Sequence, residues 1–317
     1  MSPVFDLLFV ANLGWILVAL LGPLIDDNSA AGPFWQVYFL TTPHRWLTLV
    51  LVLFDPDRRE GSQYLIWGLP VFFLAGIVAL QWQFDLLVCL AVIDYVWNGW
   101  HFGAQHAGIA SIYGRKAGGG FPALERHGLR FFVFFVILRT AGWSTGWLEG
   151  YSLGSTGLAV ADAVIATVGA VVLFVELAQP WTGRLAKRCY LASVIGMYGA
   201  MLAALHWNWR AGIIGLTVAG AVFHAVEYLA IVTHYAWRRR EIGSDGVFRA
   251  MAKHWTLLLL TYMLVIGLGD WLLHQASRSW WASINLWAAF LHYSYDGLIW
   301  KLRRPDTARA LGAEAAP

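Results

Sequence analysis

Four histidines lie deep inside separate long apolar segments of the chain: His44, His101, His224 and His292. A charged or strongly polar side chain at the centre of a bilayer costs about 2.5–3.5 kcal/mol, and residues of this kind in membrane segments mark functional sites. Imidazole nitrogens bind iron, copper and zinc, and intramembrane chains of His, Asp and Glu also carry protons. The pattern therefore predicts a buried metal or proton site that these four side chains share.

Side chains with oxygen atoms follow two of these histidines by one helical turn. Glu227 and Tyr228 come three and four residues after His224, and Asp296 comes four residues after His292. Residues three and four apart are neighbours on a helix surface, and a carboxylate so placed can bind a metal or fix the tautomer of the histidine. We therefore assign candidate catalytic roles to Glu227, Tyr228 and Asp296.

The segment that contains His101 has the densest polar stripe of the chain. Asp94, Asn98 and Gln105 share a helical face with His101, which makes Asp94 a fourth candidate catalytic residue. His106 is rotated by about 140° from that face. We include His106 among the candidate metal ligands, with proton transfer or a contact with a neighbouring helix as alternatives.

The composition is that of an integral membrane protein. Hydrophobic residues make up 59% of the 317 residues and charged residues 13%, against about 25% charged residues in soluble domains. The net charge of +3 is small and the basic residues lie near segment ends, so nucleic acid is not an expected partner. The expected location is the bacterial inner (cytoplasmic) membrane.

Ten apolar segments are long enough to cross about 30 Å of hydrocarbon as helices. They cover residues 4–25, 34–54, 63–82, 85–112, 129–148, 157–178, 189–207, 211–236, 255–274 and 280–300. If the N-terminus is inside, the inner loops contain 18 Lys and Arg residues and the outer loops contain 2. The positive-inside rule then predicts that both termini are cytoplasmic. The expected fold is an all-α polytopic bundle, with one transmembrane domain over 1–304 and a short cytoplasmic tail over 305–317.

The four histidine segments are the second, fourth, eighth and tenth of this series, so they all run in the same direction. Counted from the outer ends of these segments, the histidines lie within about 9 Å of one another in depth. They could therefore converge on one site.

Other polar residues inside the segments receive structural roles. Arg45 and Arg139 are expected to pair with an interior acid such as Asp162 or Glu176. Five further histidines lie in loops or near segment ends and are interpreted as structural: His127, His206, His234, His254 and His274.

The donor set favours iron. Imidazole with carboxylate suits iron, copper, zinc or manganese, and both dioxygen and a hydrophobic small molecule can enter a site from the bilayer. Zinc hydrolysis is less attractive because its nucleophilic water must reach the membrane interior. The sequence therefore predicts a non-haem iron oxygenase or oxidoreductase that acts on a lipophilic substrate, with an electron donor as a further possible partner.

Two short segments resemble a known family. Pro43-His44 and Trp100-His101-Phe102-Gly103 are similar to the Pro-His and His-Phe-Gly elements of the bacterial membrane β-carotene-cleaving dioxygenases (Brp/Blh-like). The resemblance implies a polytopic membrane protein whose histidines hold iron between helices. The spacing of His101 and His106 is also similar to the H-x4-H spacing of the membrane hydroxylases and desaturases, for which a two-iron centre is a further alternative.

Three other functions remain open at this stage. The same polar groups could form the pathway of a proton- or cation-coupled transporter. Two histidines on facing helices could instead hold haem b in an electron-transfer subunit. A purely structural subunit of a larger complex is the third alternative.

Overall fold

The computed structural model describes residues 3–21, 35–59, 63–84, 87–146, 154–241 and 247–313, and these residues form helices and turns without a strand. The expected all-α class is confirmed. In chain order the helices are α1 (Pro3–Phe5), α2 (Trp15–Leu21), α3 (Thr42–Phe54), α4 (Pro56–Arg59), α5 (Gln63–Phe84), α6 (Leu87–Lys116), α7 (Pro122–Thr145), α8 (Gly154–Leu177), α9 (Leu185–His206), α10 (Arg210–Glu241), α11 (Val247–Lys253), α12 (Trp255–Ala276), α13 (Arg278–Ile299) and α14 (Pro305–Ala310). One π-helical turn, Asp6–Val10, follows α1, and another, Val37–Thr41, precedes α3.

Six helices in the described ranges are long and apolar enough to cross a membrane, as in a membrane protein. They are α3 together with the π-helical turn before it, α5, α8, α9, α10 and α12. Three further expected spans coincide with α6, α7 and α13, whose polar side chains make them less apolar. The count of ten spans and the orientation of the termini stay predictions.

The first expected span differs from a continuous helix. Between the π-helical turn Asp6–Val10 and α2, Asn12 has a φ of 44°. Asparagine tolerates this left-handed conformation better than most residues, and its side-chain amide donates to the carbonyl of Phe223 at 3.4 Å. The remainder of the segment, residues 22–25, lies outside the described residues.

The chain separates into two compact units, each built from distant parts of the sequence. Unit 1 contains Met1–Pro33, Gly99–Glu227 and Ala313–Pro317, and unit 2 contains Phe34–Asn98 and Tyr228–Gly312. The expectation of one transmembrane domain over 1–304 stays a prediction.

In unit 1, α7, α8 and α9 pack against one another. A close approach of backbones places α6 beside α7, because a Cβ atom at Gly103 would lie 2.6 Å from the carbonyl oxygen of Arg130. Only glycine fits this contact, which lies two residues after His101.

Several charged side chains of unit 1 are buried in ion pairs. Arg139 Nε lies 3.4 Å from Asp162 Oδ1, so Arg139 pairs with one of the two interior acids that we named without assigning the pairs. Lys187 Nζ lies 2.7 Å from Glu125 and 2.8 Å from Glu176. Glu176 also accepts from the guanidinium of Arg184 at 3.0 Å. These contacts satisfy charges that would otherwise be costly to bury.

In unit 2, α3 packs against α12 and α13, and α5 packs against α13. The apolar core includes Leu47, Leu51 and Leu291. Hydrophobic residues at these positions of α3 and α13 bury the helix faces that carry His44 and His292.

The C-terminal segment 305–317 begins with α14, which is held by a buried arginine. The guanidinium of Arg58 donates to the carbonyl of Ile299 and to the hydroxyl of Thr307, each at 2.9 Å, and to the hydroxyl of Tyr235 at 3.0 Å. The first part of this segment is therefore packed within unit 2.

Candidate metal centre

Two histidines that are 248 positions apart in the numbering meet inside unit 2. His44 lies in the first turn of α3 and His292 lies in α13, and both are buried. Their ring centroids are 4.9 Å apart and their planes are nearly perpendicular, at 86°. A ligand nitrogen of each lies within 4.8 Å of one on the other.

Asp296 lies beside His292 on the same helix. One turn along α13, its Oδ2 lies 3.7 Å from Nε2 of His292. This is the neighbour that the spacing of four residues predicts. Unit 2 thus places one imidazole, that of His44, and one carboxylate, that of Asp296, beside His292.

Thr48 and Tyr228 connect His292 with Asp296. The Thr48 hydroxyl lies 2.7 Å from Nδ1 of His292, 2.5 Å from the Tyr228 hydroxyl and 3.2 Å from Oδ1 of Asp296. The Tyr228 hydroxyl donates to Asp296 at 3.1 Å. Thr48 is fully buried, so its hydroxyl has to find its partners within the protein.

One set of hydrogen positions uses these contacts in sequence. Nδ1–H of His292 donates to Thr48, Thr48 donates to Tyr228, and Tyr228 donates to Asp296. Nε2 of His292 then carries the lone pair, which is the form of imidazole that binds a metal. The hydroxyl groups are therefore compatible with the tautomer that a ligand requires.

Asp94 has a different set of contacts in unit 2. The hydroxyl of Tyr293 donates to Asp94 and also approaches the side-chain oxygen of Asn98, each at 3.0 Å. Arg45 interacts electrostatically with Asp94. Of the two acids that we suggested as its partner, Glu176 is bound by Arg184 and Lys187 instead.

Unit 1 contains a second pair of histidines with similar geometry. The rings of His101 and His224 have centroids 5.0 Å apart and planes at 84°. The ring of Phe102 stacks on His224 at 3.7 Å and 15°, which limits the rotation of that imidazole. Both histidines are buried.

A buried polar network surrounds Glu227. Its carboxylate accepts from Gln105 at 2.6 Å and from Tyr190 at 2.6 Å. Gln105 also donates to the backbone carbonyl of His224 at 3.1 Å. The network fixes the position of Glu227 one turn along α10 from His224.

His106 belongs to this network. Its Nδ1 lies 3.2 Å from Glu227 and 3.0 Å from the hydroxyl of Tyr190, and its Nε2 lies 3.3 Å from the hydroxyl of Tyr198. Both ring nitrogens thus contact side chains other than His101 and His224. These contacts favour the proton-transfer or structural alternative for His106 over its role as a ligand.

The separation of the rings tests which kind of metal group each pair fits. With a metal–nitrogen bond of about 2.1 Å, the ring centroid lies about 3.2 Å from the ion. Two rings separated by 4.9 or 5.0 Å then subtend about 100° at the ion, which suits adjacent ligands. Two imidazoles on opposite faces of a haem would be about 6.5 Å apart, so neither pair alone fits a bis-histidine haem.

Thr48 and Tyr190 are among the residues at these sites that we did not single out in the sequence. Thr48 lies four residues after His44, so the same one-turn spacing that identified Asp296 could have found it. Tyr190 carries no comparable signal, because its contact with Glu227 joins two different helices, and its position on α9 does not show which side chain of α10 it meets.

A comparison of the chain with protein-family models, with curated proteins and with solved structures finds no significant match.

Proposed function

We propose that the chain is a metal-dependent oxidoreductase of the bacterial inner membrane, with non-haem iron as its first candidate cofactor. His44, His101, His224 and His292 would supply the ligands, and a lipophilic small molecule taken from the bilayer would be the substrate. Copper, manganese and zinc are the alternative ions. The observation that carries the proposal is the perpendicular, buried imidazole pair, which occurs once in each unit with nearly the same ring separation.

The side chains around His292 favour a role as a metal ligand over a purely structural role. A histidine that serves only as an interhelical hydrogen bonder needs one partner, whereas His292 contacts an imidazole, a hydroxyl and a carboxylate. Partners that orient a metal-binding histidine are typical of metal sites. That both histidine pairs bind one common ion stays a prediction of the sequence.

The protein residues have separable roles in this proposal. When bound, iron would supply the redox chemistry with dioxygen and, where needed, an external electron donor. Thr48, Tyr228 and Asp296 orient His292 and hold its Nδ1 proton. Glu227, which is fully buried and accepts from Tyr190 and Gln105, is placed to accept or return a proton.

The test is metal analysis of purified protein together with its optical spectrum. We expect stoichiometric iron, or one of the alternative ions, and no Soret band. Separate alanine substitutions of the four histidines should lower the metal content at least about tenfold, because loss of even an orienting partner costs 10–100-fold in affinity. His127 is exposed, so His127→Ala is the matched control and should retain the metal. Unchanged metal content in His101→Ala and His224→Ala would contradict the proposal.

A proton- or cation-coupled transporter is the second candidate. The observation that favours it is the buried network of Glu227, His106 and Tyr190, since such chains also conduct protons in membranes. Proton-coupled uptake by reconstituted vesicles that persists after metal removal would support this function. Dioxygen consumption that requires both metal and a lipid extract would support the oxidoreductase.

A further inference from the structure

A second polar cluster in unit 2 contains none of the four histidines. Thr42, Asp270 and Asn285, which we call the Asp270 cluster, come from α3, α12 and α13 and are all buried. The Thr42 hydroxyl oxygen lies 3.0 Å from Oδ2 of Asp270 and 3.1 Å from Oδ1 of Asn285. The amide nitrogen of Asn285 donates to Oδ1 of Asp270 at 2.7 Å.

The orientation of the Asn285 amide follows from its neighbours. Its nitrogen faces the backbone carbonyl of Trp281 at 3.0 Å as well as Asp270. Both neighbours accept hydrogen bonds, so only the NH2 group can face them. The amide oxygen of Asn285 must therefore face Thr42.

The Asp270 cluster has one hydrogen too few to bridge all of its close oxygen–oxygen contacts, unless a cation is added. Thr42 has a single hydroxyl hydrogen but faces two acceptor oxygens. If it donates to Asn285, its contact with an ionised Asp270 has no hydrogen, and if it donates to Asp270, its contact with Asn285 has none. One close oxygen–oxygen contact is therefore uncompensated when the cluster contains no added cation.

Within the part of the chain that the structure describes, no side chain forms an ion pair with Asp270. Arg45 on α3 interacts with it electrostatically, and with Asp94 more strongly. The other titratable groups that face it are Tyr38, on the turn before α3, and His274, one turn along α12, whose side chains bond each other at 2.5 Å. A buried carboxylate without an ion-pair partner is costly, so the site favours a cation.

The backbone before α3 packs closely against α12 one turn before Asp270. Pro43 has no N–H, so a carbonyl in the preceding π-helical turn has no helical donor. On α12, one turn before Asp270, a Cβ atom at Gly267 would lie 3.0 Å from the carbonyl oxygen of Tyr38 and 2.4 Å from the ring of Phe39. The glycine thus brings α12 directly against this turn, and π-helical turns often occur at functional sites.

We propose that the Asp270 cluster is a binding site for one monovalent cation, with H+ and Na+ as competing occupants. A proton on Asp270 would donate to Thr42, which would donate to Asn285 and so close a ring of hydrogen bonds. A sodium ion would instead be held by the oxygens of the three side chains. This site does not depend on the proposed metal centre, since none of the four histidines belongs to it.

The experiment measures the thermal unfolding of the purified full-length protein in detergent. In one arm, Na+ replaces choline at constant ionic strength and alkaline pH. In the other arm, the pH is lowered in choline alone. A ligand that binds only the folded state stabilises it, so the unfolding temperature should rise by several degrees in at least one arm.

Asp270→Asn is the decisive variant, because its amide supplies the missing hydrogens to Thr42 without a cation. It should fold and lose the response of the wild type, while its transition-metal content stays unchanged. Asp162→Asn is the matched control: it removes an ion-paired acid of unit 1 and should keep the response. A response to Na+ identifies a sodium site, and a response to pH alone identifies a proton site. A wild type that responds in neither arm, or an equal response in Asp270→Asn, would overturn the proposal.

Discussion

Replacing Thr48 by valine tests whether His292 is held as a metal ligand. Valine has nearly the same shape as threonine but lacks the hydroxyl that lies 2.7 Å from Nδ1 of His292 and 2.5 Å from Tyr228. The Nδ1–H of a fully buried imidazole would then lose this partner, which costs about 1–3 kcal/mol of folding free energy. The tautomer with the lone pair on Nε2 would no longer be favoured, and we expect metal affinity to fall about 10–100-fold.

The assay is competition for the metal with a chelating dye, combined with thermal unfolding of the metal-free protein. Thr48→Ser keeps the hydroxyl and should stay close to the wild type in both measurements. The control is Thr167→Val, since the exposed Thr167 hydroxyl bonds only the carbonyl of Ala163, at 2.8 Å in its own helix. Equal metal affinity in Thr48→Val and Thr48→Ser would refute the orienting role of the hydroxyl.

The remaining predictions concern stability and use thermal or denaturant unfolding in detergent. Gly103→Ala should destabilise the protein by about 1–3 kcal/mol, because its Cβ would lie 2.6 Å from the Arg130 carbonyl. Gly108→Ala on the same helix meets nothing within 4 Å and should stabilise it by about 0.5–1 kcal/mol; the reverse order would contradict the close approach of α6 and α7. Lys187→Met should lower the free energy of unfolding by about 3–5 kcal/mol, because it leaves Glu125 and Glu176 without their buried ammonium partner. A loss below about 1 kcal/mol, the range of exposed pairs, would show that this pairing contributes little.

Much of the helical fold could be predicted from apolar segment length. The expected span 63–82 became α5 (Gln63–Phe84) and the expected span 189–207 became α9 (Leu185–His206). The ends shift by a few residues because buried ion pairs, such as that of Lys187 in the first turn of α9, allow charged residues inside a helix. The first segment was harder to predict, since the turn at Asn12 depends on a backbone contact with Phe223.

The candidate site divides in the same way into local and distant contacts. The neighbour of His292 at Asp296 follows from helical geometry and could be predicted. The association of His44 with His292, and of His101 with His224, could not, because it depends on how distant helices pack. The rotation of His106 away from His101 was visible in the sequence, but its partners Tyr190 and Tyr198 were not, since both come from α9.

The contacts of Arg58 also have a consequence for biosynthesis. Thr307, one of the groups that its guanidinium binds, is added to the growing chain 249 residues later. At a translation rate of about 5–20 residues per second, the delay is about 12–50 s. During this interval the guanidinium lacks its final acceptors and has to remain hydrated. The completion of unit 2 therefore waits until the ribosome has synthesised Thr307.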